Sequence, residues 1–215
     1  MKQSRLLLPT SYFPPIGWMA YYLHSSNVWI ELTETYPKQT IRNRCYILTP
    51  QGPAHLTVPV VKTQGNHSLT SQIEVFYEDG WPRKHWRTLY SAYNKSPFFQ
   101  FYRHRFEQFF ETRPTTLVEL NEAALALVLD LLKVTKKHDF TPEWQAHWPD
   151  VYDLRTAFEL TSYGNINRYP EYIQVFSDRQ PFRPNLSILD LLFNLGPEAL
   201  KYVEKLSPII QDRQS

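Results

Sequence analysis

The densest chemistry in the chain lies in one run, Trp81-Pro-Arg-Lys-His85-Trp86-Arg-Thr-Leu-Tyr90-Ser-Ala-Tyr93-Asn-Lys95-Ser-Pro97-Phe98-Phe99. An imidazole titrates near neutral pH, so His85 is the expected general base. Trp86 and Tyr93, with Tyr12 from an earlier loop, offer rings that stack on a sugar or a base, and Lys95 adds a cation. A second set is Lys38, Arg42, Asn43 and Arg44. On a strand Arg42 and Arg44 face one side and Asn43 and Cys45 the other. Lys38, Asn43 and Arg44 at a sheet end could hold a phosphate or carboxylate by charge-assisted hydrogen bonds. The plainer reading is a solvated strand start paired to Glu31 and Glu34.

Cys45 is the lone cysteine. As a nucleophile it would need His55, across a hairpin, or His85 as its base. Beside Tyr46 and Ile47 the expectation is a small core residue. The seven histidines show neither His-Glu-x-x-His nor His-x-x-x-His spacing, so no metal site is expected. Gly-x-Ser-x-Gly, Gly-x-Gly-x-x-Gly and the P-loop are absent too, and no cofactor is expected. In the apolar run from Leu186, Ser187, Asp190 and Asn194 recur at steps of three and four. That stripe is either a thin solvent face or a buried polar network, in which Asp190 and Asn194 would support a site.

These residues need a scaffold. Arg5–Leu8 reads as a strand, Pro9–Pro15 as a rigid loop, Ile16–Leu23 as an aromatic helix and Asn27–Leu32 as a strand. Strand, helix, strand in so few residues is a βαβ start with parallel strands, and in such sheets ligands bind beyond the carboxyl ends. Thr40–Leu48 and Ala54–Val61, joined by Thr49-Pro-Gln-Gly52-Pro, read as an antiparallel hairpin. Pro59 cannot donate to a ladder, which puts that strand at an edge or a bulge. Residues 62–71 read as a loop and Gln72–Tyr77 as a strand. In the Trp81 helix, Pro82 sits where an N–H is dispensable, Pro97 ends the run, and His85, Leu89 and Tyr93 share a face. Ser96–Glu111 is a phenylalanine-rich helix. Thr116–Glu119 has the form of a capping box ahead of a helix over Asn121–Lys136. Thr141–Gln180 reads as loop with a short helix near Leu154–Leu160. Helices follow over Asn185–Asn194 and Pro197–Lys205. The fold class expected is α/β, with α+β as the alternative: an N-terminal mixed sheet, then a helical C-terminal half, in a single domain over 1–215.

The composition agrees. A chain of 215 residues with 42% hydrophobic content can bury a sizeable core without disulfide or metal. The 15% aromatic content, 17 prolines and 6 glycines favour rigid loops over Gly-rich phosphate cradles. The net charge of +2 is spread along the chain, and only Arg103-His104-Arg105 approaches a basic cluster, so no nucleic-acid partner is expected. The leucines before Pro9 are too few for a signal peptide, and the largely apolar stretch Ala123–Leu132 is too short to span a membrane. A lone cysteine fits reducing cytoplasm, and a homo-oligomer is compatible with all of this.

The pieces Tyr12-Phe-Pro-Pro-Ile-Gly17, Lys38 with Arg42-Asn43-Arg44, Leu56-Thr-Val-Pro59-Val60, His85-Trp86 through Tyr93 to Ser96-Pro97-Phe98-Phe99, and Phe182 through Asn185-Leu-Ser-Ile-Leu-Asp190-Leu-Leu-Phe-Asn194-Leu-Gly196 occur in order along nearly the whole chain. In these the sequence resembles the WbqC-like family, in a short form. It departs at Leu8-Pro9, where many members carry Gln-Pro, and in a shortened region after the Asn121 helix. Members are met in cell-surface polysaccharide and O-antigen gene contexts. The resemblance implies a transferase passing an acyl-type group to an amino sugar, a nucleotide sugar or a related amine. The alternatives are a non-catalytic ligand-binding or scaffold protein of the same pathway, and a thiol-dependent amide hydrolase using Cys45.

Overall fold

The computed structural model describes residues 5–158 and 169–207. It begins with strand β1 (Arg5–Pro9), helix α1 (Ile16–His24) and strand β2 (Val28–Glu31). The two strands are parallel, with Leu6 opposite Val28 and Pro9 opposite Glu31. Parallel neighbours require a crossover, and α1 supplies it. Leu6, Leu8, Val28 and Ile30 alternate onto one face and are sealed in the core.

Next come β3 (Arg44–Thr49) and β4 (Gly52–Thr57), the antiparallel hairpin the turn residues predict. Two expectations shift. Thr40–Asn43 is a turn, closed by Asn43 N–H to the Thr40 carbonyl at 3.4 Å, so the strand starts at Arg44. Arg42 and Arg44 therefore do not share a strand face. At Pro59 the second strand breaks, and β5 (Val60–Lys62) leaves to pair with β6 (Ile73–Val75). A residue with no N–H cannot carry the ladder through.

Helices α2 (Trp81–Tyr93), α3 (Phe99–Glu111) and α4 (Leu117–Leu132) follow. On α2 the stripe His85, Leu89, Tyr93 faces inward. The capping box before α4 forms: Thr116 Oγ1 accepts from Glu119 N–H at 3.1 Å, and the Glu119 carboxylate accepts from Thr116 N–H at 3.0 Å. Helix α4 stops short of Lys136, because Lys133 turns left-handed at φ 59.

Two short strands complete the sheet. β7 (Asp139–Phe140) pairs with β2, and β8 (Val151–Asp153) pairs with β1. The order is β7-β2-β1-β8, parallel throughout. Part of the helix expected over Leu154–Leu160 lies outside the described residues; Arg155–Phe158 is a turn. Helices α5 (Ile188–Leu195) and α6 (Glu198–Lys205) end the described chain. Gly196 stops α5 at φ 54, where a Cβ would collide with the Phe98 ring. The chain is α/β as expected, with a parallel sheet beside two antiparallel pairs.

Candidate functional site at the carboxyl edge of the sheet

A parallel sheet sends all its strand ends to one edge. Here that edge collects Thr10 and Ser11 after β1, Glu31 and Thr33 at the end of β2, Thr141 after β7, and Asp153 and Arg155 at the end of β8. Glu31 is sealed from solvent. Its Oε1 accepts from Thr33 N–H at 2.7 Å, Thr33 hydroxyl at 2.7 Å and Thr141 hydroxyl at 2.9 Å. Its Oε2 accepts from Arg155 Nη1 at 3.2 Å. Arg155 also grips Asp153 with Nη2 at 2.5 Å. A buried carboxylate demands this number of donors, so Glu31 pins three strand ends together.

The Thr40–Asn43 turn folds over the same edge. Arg42, only 3% exposed, gives its Nε to Glu34 Oε1 at 2.6 Å and Nη2 to the Arg155 carbonyl at 3.4 Å. Burial raises the Glu34 pKa above the ordinary carboxylate range, with Arg42 opposing. Asn121, on the first turns of α4 and 1% exposed, donates through Nδ2 to Thr10 Oγ1 at 3.1 Å and to the Arg42 carbonyl at 2.9 Å. Asn43 Nδ2 donates to the Val58 carbonyl at 2.9 Å. The amide oxygens of Asn43 and Asn121 are buried and accept nothing among the described residues. Buried polar atoms are nearly always paired, so two unpaired acceptors beside one turn set this region apart. The loop after β1 is itself held under strain, with Phe13 left-handed at φ 42. Its ring packs at 5.0 Å from Phe109, and its carbonyl accepts from Ser187 Oγ at 2.8 Å.

His85 lies next to this region but is closed off. It is 6% exposed. Its Nε2 meets the Thr57 carbonyl at 3.1 Å, and a carbonyl only accepts, so Nε2 carries the proton. Nδ1 then accepts from the Tyr12 hydroxyl at 3.1 Å. Trp81 stands edge-on at 4.8 Å. Burial lowers the His85 pKa to about 4, against a smaller opposing effect of the Thr57 carbonyl. This geometry holds the imidazole neutral, and the expectation of an open general base is not met: the only lone pair is taken by Tyr12, which is itself sealed. His85 is a tie between α2, the loop after β1 and β4.

Of the residues expected to join His85, the structure brings Tyr12 into contact and places Asn43 and Arg44 at the base of the β3–β4 hairpin, beside Thr57 and Val58. Trp86 stacks on Phe99 at 5.8 Å and 14°. Lys38 and Lys95 are exposed. Among the described residues these three share no hydrogen bond, ion pair or ring contact with His85. Tyr93 belongs to a second network. Its hydroxyl accepts from Leu48 N–H at 3.0 Å and donates to Asp190 Oδ1 at 2.9 Å. Asp190 Oδ2 accepts from Tyr172 hydroxyl at 2.6 Å and Gln174 Nε2 at 3.0 Å. Asn194 Nδ2 returns to the Asp190 carbonyl at 2.7 Å. The polar stripe on α5 is thus a buried network and not a solvent face. Burial raises the Asp190 pKa, which the donors oppose.

Cys45 is buried, and desolvation drives its thiol pKa far up. A thiol without access to thiolate is no nucleophile, which argues against the amide hydrolase. The thiol is expected to resist alkylation in the folded protein. Cys45→Ala should cost ~1 kcal/mol, and rapid labelling under native conditions would contradict this.

Sequence reasoning missed Thr10, Glu31, Glu34, Arg42, Asn121 and Arg155 as one constellation. The signal available was the rule that ligands gather at the carboxyl edge of parallel strands, combined with the acid that ends β2. Among the described residues no His, Cys, Asp and Glu group could hold a metal, and no helix is long and apolar enough to cross a membrane.

No solved structure matches the chain. It is similar to the uncharacterized protein Rv1507c of Mycobacterium tuberculosis (strain ATCC 25618 / H37Rv), 26% identical over 198 residues that cover 78% of this chain and 83% of the relative. The model of the WbqC-like protein family matches residues 10–165 and 158–202. The first match takes in the loop after β1, the Arg42 turn, α2 and Asn121, and the second takes in Asp190: the chain belongs to the WbqC-like protein family.

Proposed function

We propose that this protein is a transferase of cell-surface polysaccharide biosynthesis, passing an acyl-type group to an amino sugar, a nucleotide sugar or a related amine held at the carboxyl edge of the sheet. The observation that carries the reading is the pair of buried, unpaired amide oxygens of Asn43 and Asn121 beside Thr10 and the turn that carries Arg42. Sugar hydroxyls and amines are the donors such acceptors need. The polysaccharide setting comes from the family resemblance. Glu34 is the group suited to take the proton. One of its oxygens is held by Arg42, its second bonds nothing among the described residues, and burial raises its pKa against the opposing charge of Arg42. The amine nitrogen would bond to the acyl carbon, its proton would pass to Glu34, and the donor's leaving group would depart with the bonding pair.

The sealing of His85 and Cys45 favours a second reading, a binding protein of the same pathway that turns nothing over. Thermal shift against nucleotide sugars, coenzyme A esters and nucleotides tests for a ligand. Saturation at 100 times Kd adds about 2.7 kcal/mol to the folded state. A panel with no shift at millimolar concentration rejects both readings, and a ligand that binds without being consumed leaves the second.

A further inference from the structure

His24 closes α1, and both of its ring nitrogens face carbonyl oxygens. Nδ1 lies 2.8 Å from the Ala20 carbonyl, and Nε2 lies 3.1 Å from the Glu204 carbonyl. A carbonyl only accepts, and a neutral imidazole carries one N–H and one lone pair. Both bonds therefore form only in the imidazolium. In the neutral ring one nitrogen turns its lone pair on a carbonyl oxygen. The place suits a cation: His24 stands in the last turn of α1 and Glu204 in the last turn of α6, so the ring bridges two negative helix ends. The Glu204 carbonyl is one of those a helix leaves without an internal partner. Glu204 and Lys136 line one cavity with His24; the carboxylate favours the cation and the ammonium opposes it. Lys136 caps the same helix end, its Nζ donating to the Leu23 carbonyl at 3.4 Å and to the Ser25 carbonyl, and burial lowers its pKa. On α6, Lys201 pairs with Glu198 at 2.9 Å and Lys205 is exposed. On the α1 side, His138 is held between Tyr22 at 3.0 Å and Glu122 at 3.2 Å.

We propose that His24 is a pH-sensitive clasp, which locks the end of α6 onto α1 when its ring carries two protons and releases it when one is lost. The ring is exposed, so protons reach it from solvent. Helix α6 stays docked through its buried Ala199 and Val203, and the clasp governs only its C-terminal end. That end reaches further. Tyr202 donates to the Pro170 carbonyl at 2.7 Å and sets its ring 5.2 Å from Tyr172, which bonds Asp190. Release therefore loosens the segment carrying Tyr172 where it lies against α5. The folded chain gains a bond with the proton, so the clasp is fully present below pH ~6.5, where a free imidazole protonates, and is lost as pH rises beyond it. It acts whatever the carboxyl edge of the sheet binds.

Amide hydrogen exchange of the full chain at pH 5.5 and pH 8.5, expressed as protection factors, is the test. In wild type the protection of Tyr202, Val203 and Glu204 should fall ~3–10-fold from the lower to the higher pH, the population change that one hydrogen bond supplies. His24→Gln can donate one bond but has no proton to gain, so its α6 protection should be the same at both values. His67→Gln, the same change at an exposed site, should keep the wild-type dependence. His85, His138 and Lys136 are common to all three proteins and cancel in the comparison. The wild-type ring gives a second readout by NMR. Two His24 ring N–H protons should be visible at pH 5.5, sheltered from exchange by the two carbonyls, and at most one at pH 8.5. The proposal is overturned if the pH dependence of α6 is equal in wild type and His24→Gln. It is equally overturned if the folded wild type shows neither ring proton at pH 5.5.

Discussion

Asp190→Ala is expected to lower the unfolding free energy by ~3–5 kcal/mol. Asp190 is wholly buried and accepts from Tyr93, Tyr172 and Gln174. Removing the carboxylate strands two phenols and an amide in the core. It also releases the strap that carries Tyr172 and Gln174, which reaches the interior through these bonds. Gln174 closes the strap on itself by donating to the Arg183 carbonyl at 2.9 Å and accepting from Arg183 N–H at 2.9 Å, so its backbone turn should survive while its anchor is lost. Urea unfolding checks this through a lower midpoint at unchanged m-value. A cost below ~1 kcal/mol would mean the network is slack. Asp190→Asn keeps the shape and one acceptor, and should be milder.

His85→Gln is expected to remove a component of acid lability worth ~3 kcal/mol. Burial holds the folded pKa at about 4, against ~6.5 in the unfolded chain. The folded pKa is depressed, so the unfolded state binds the proton first. Full stability holds above pH ~6.5 and is lost progressively as pH falls toward 4. Glutamine can donate to the Thr57 carbonyl and accept from Tyr12, but has no proton to gain. The stability difference between variant and wild type should therefore move by ~3 kcal/mol in the variant's favour between pH 7 and pH 4. The raised pKa values of Asp190 and Glu34 act in the opposite direction, but they are common to both proteins and cancel in the difference. Parallel stability curves would show that His85 is hydrated in the folded state.

Where the sequence carried a local signal, it could be read. The β1–α1–β2 start, the β3–β4 hairpin, the capping box at Thr116 and the shared face of His85, Leu89 and Tyr93 on α2 all appear as expected. β7 and β8 have two and three residues, too few to show a period, and they exist because β2 and β1 present open edges. Arg155 consequently read as part of a short helix and not as the residue after a strand, and its bond to Glu31 across 124 positions has no local trace. Arg42 was misplaced because a turn at Thr40–Asn43, without glycine or proline, looks like strand. Asn121 reads as an ordinary helix residue until the loop after β1 is laid against α4. His85 was legible as sharing a helix face with Leu89 and Tyr93, but its two bonds to distant elements were not, and these decide between an open base and a tie in the core. The Ser187, Asp190 and Asn194 spacing leaned toward a thin solvent face, and only packing on all sides of α5 made it a buried network.

The most direct test of a ligand at the carboxyl edge uses whichever panel compound gives the largest thermal shift. Its affinity is measured by calorimetric titration for wild type, Asn121→Ala and His85→Gln, at a temperature where all three are folded. Asn121→Ala should weaken binding ~10-fold, since it removes the unpaired acceptor and frees Thr10 and the Arg42 turn. His85→Gln should bind within ~2-fold of wild type. Affinity untouched by Asn121→Ala but lost in a folded His85→Gln protein would put the ligand on α2 and contradict a site at the strand ends.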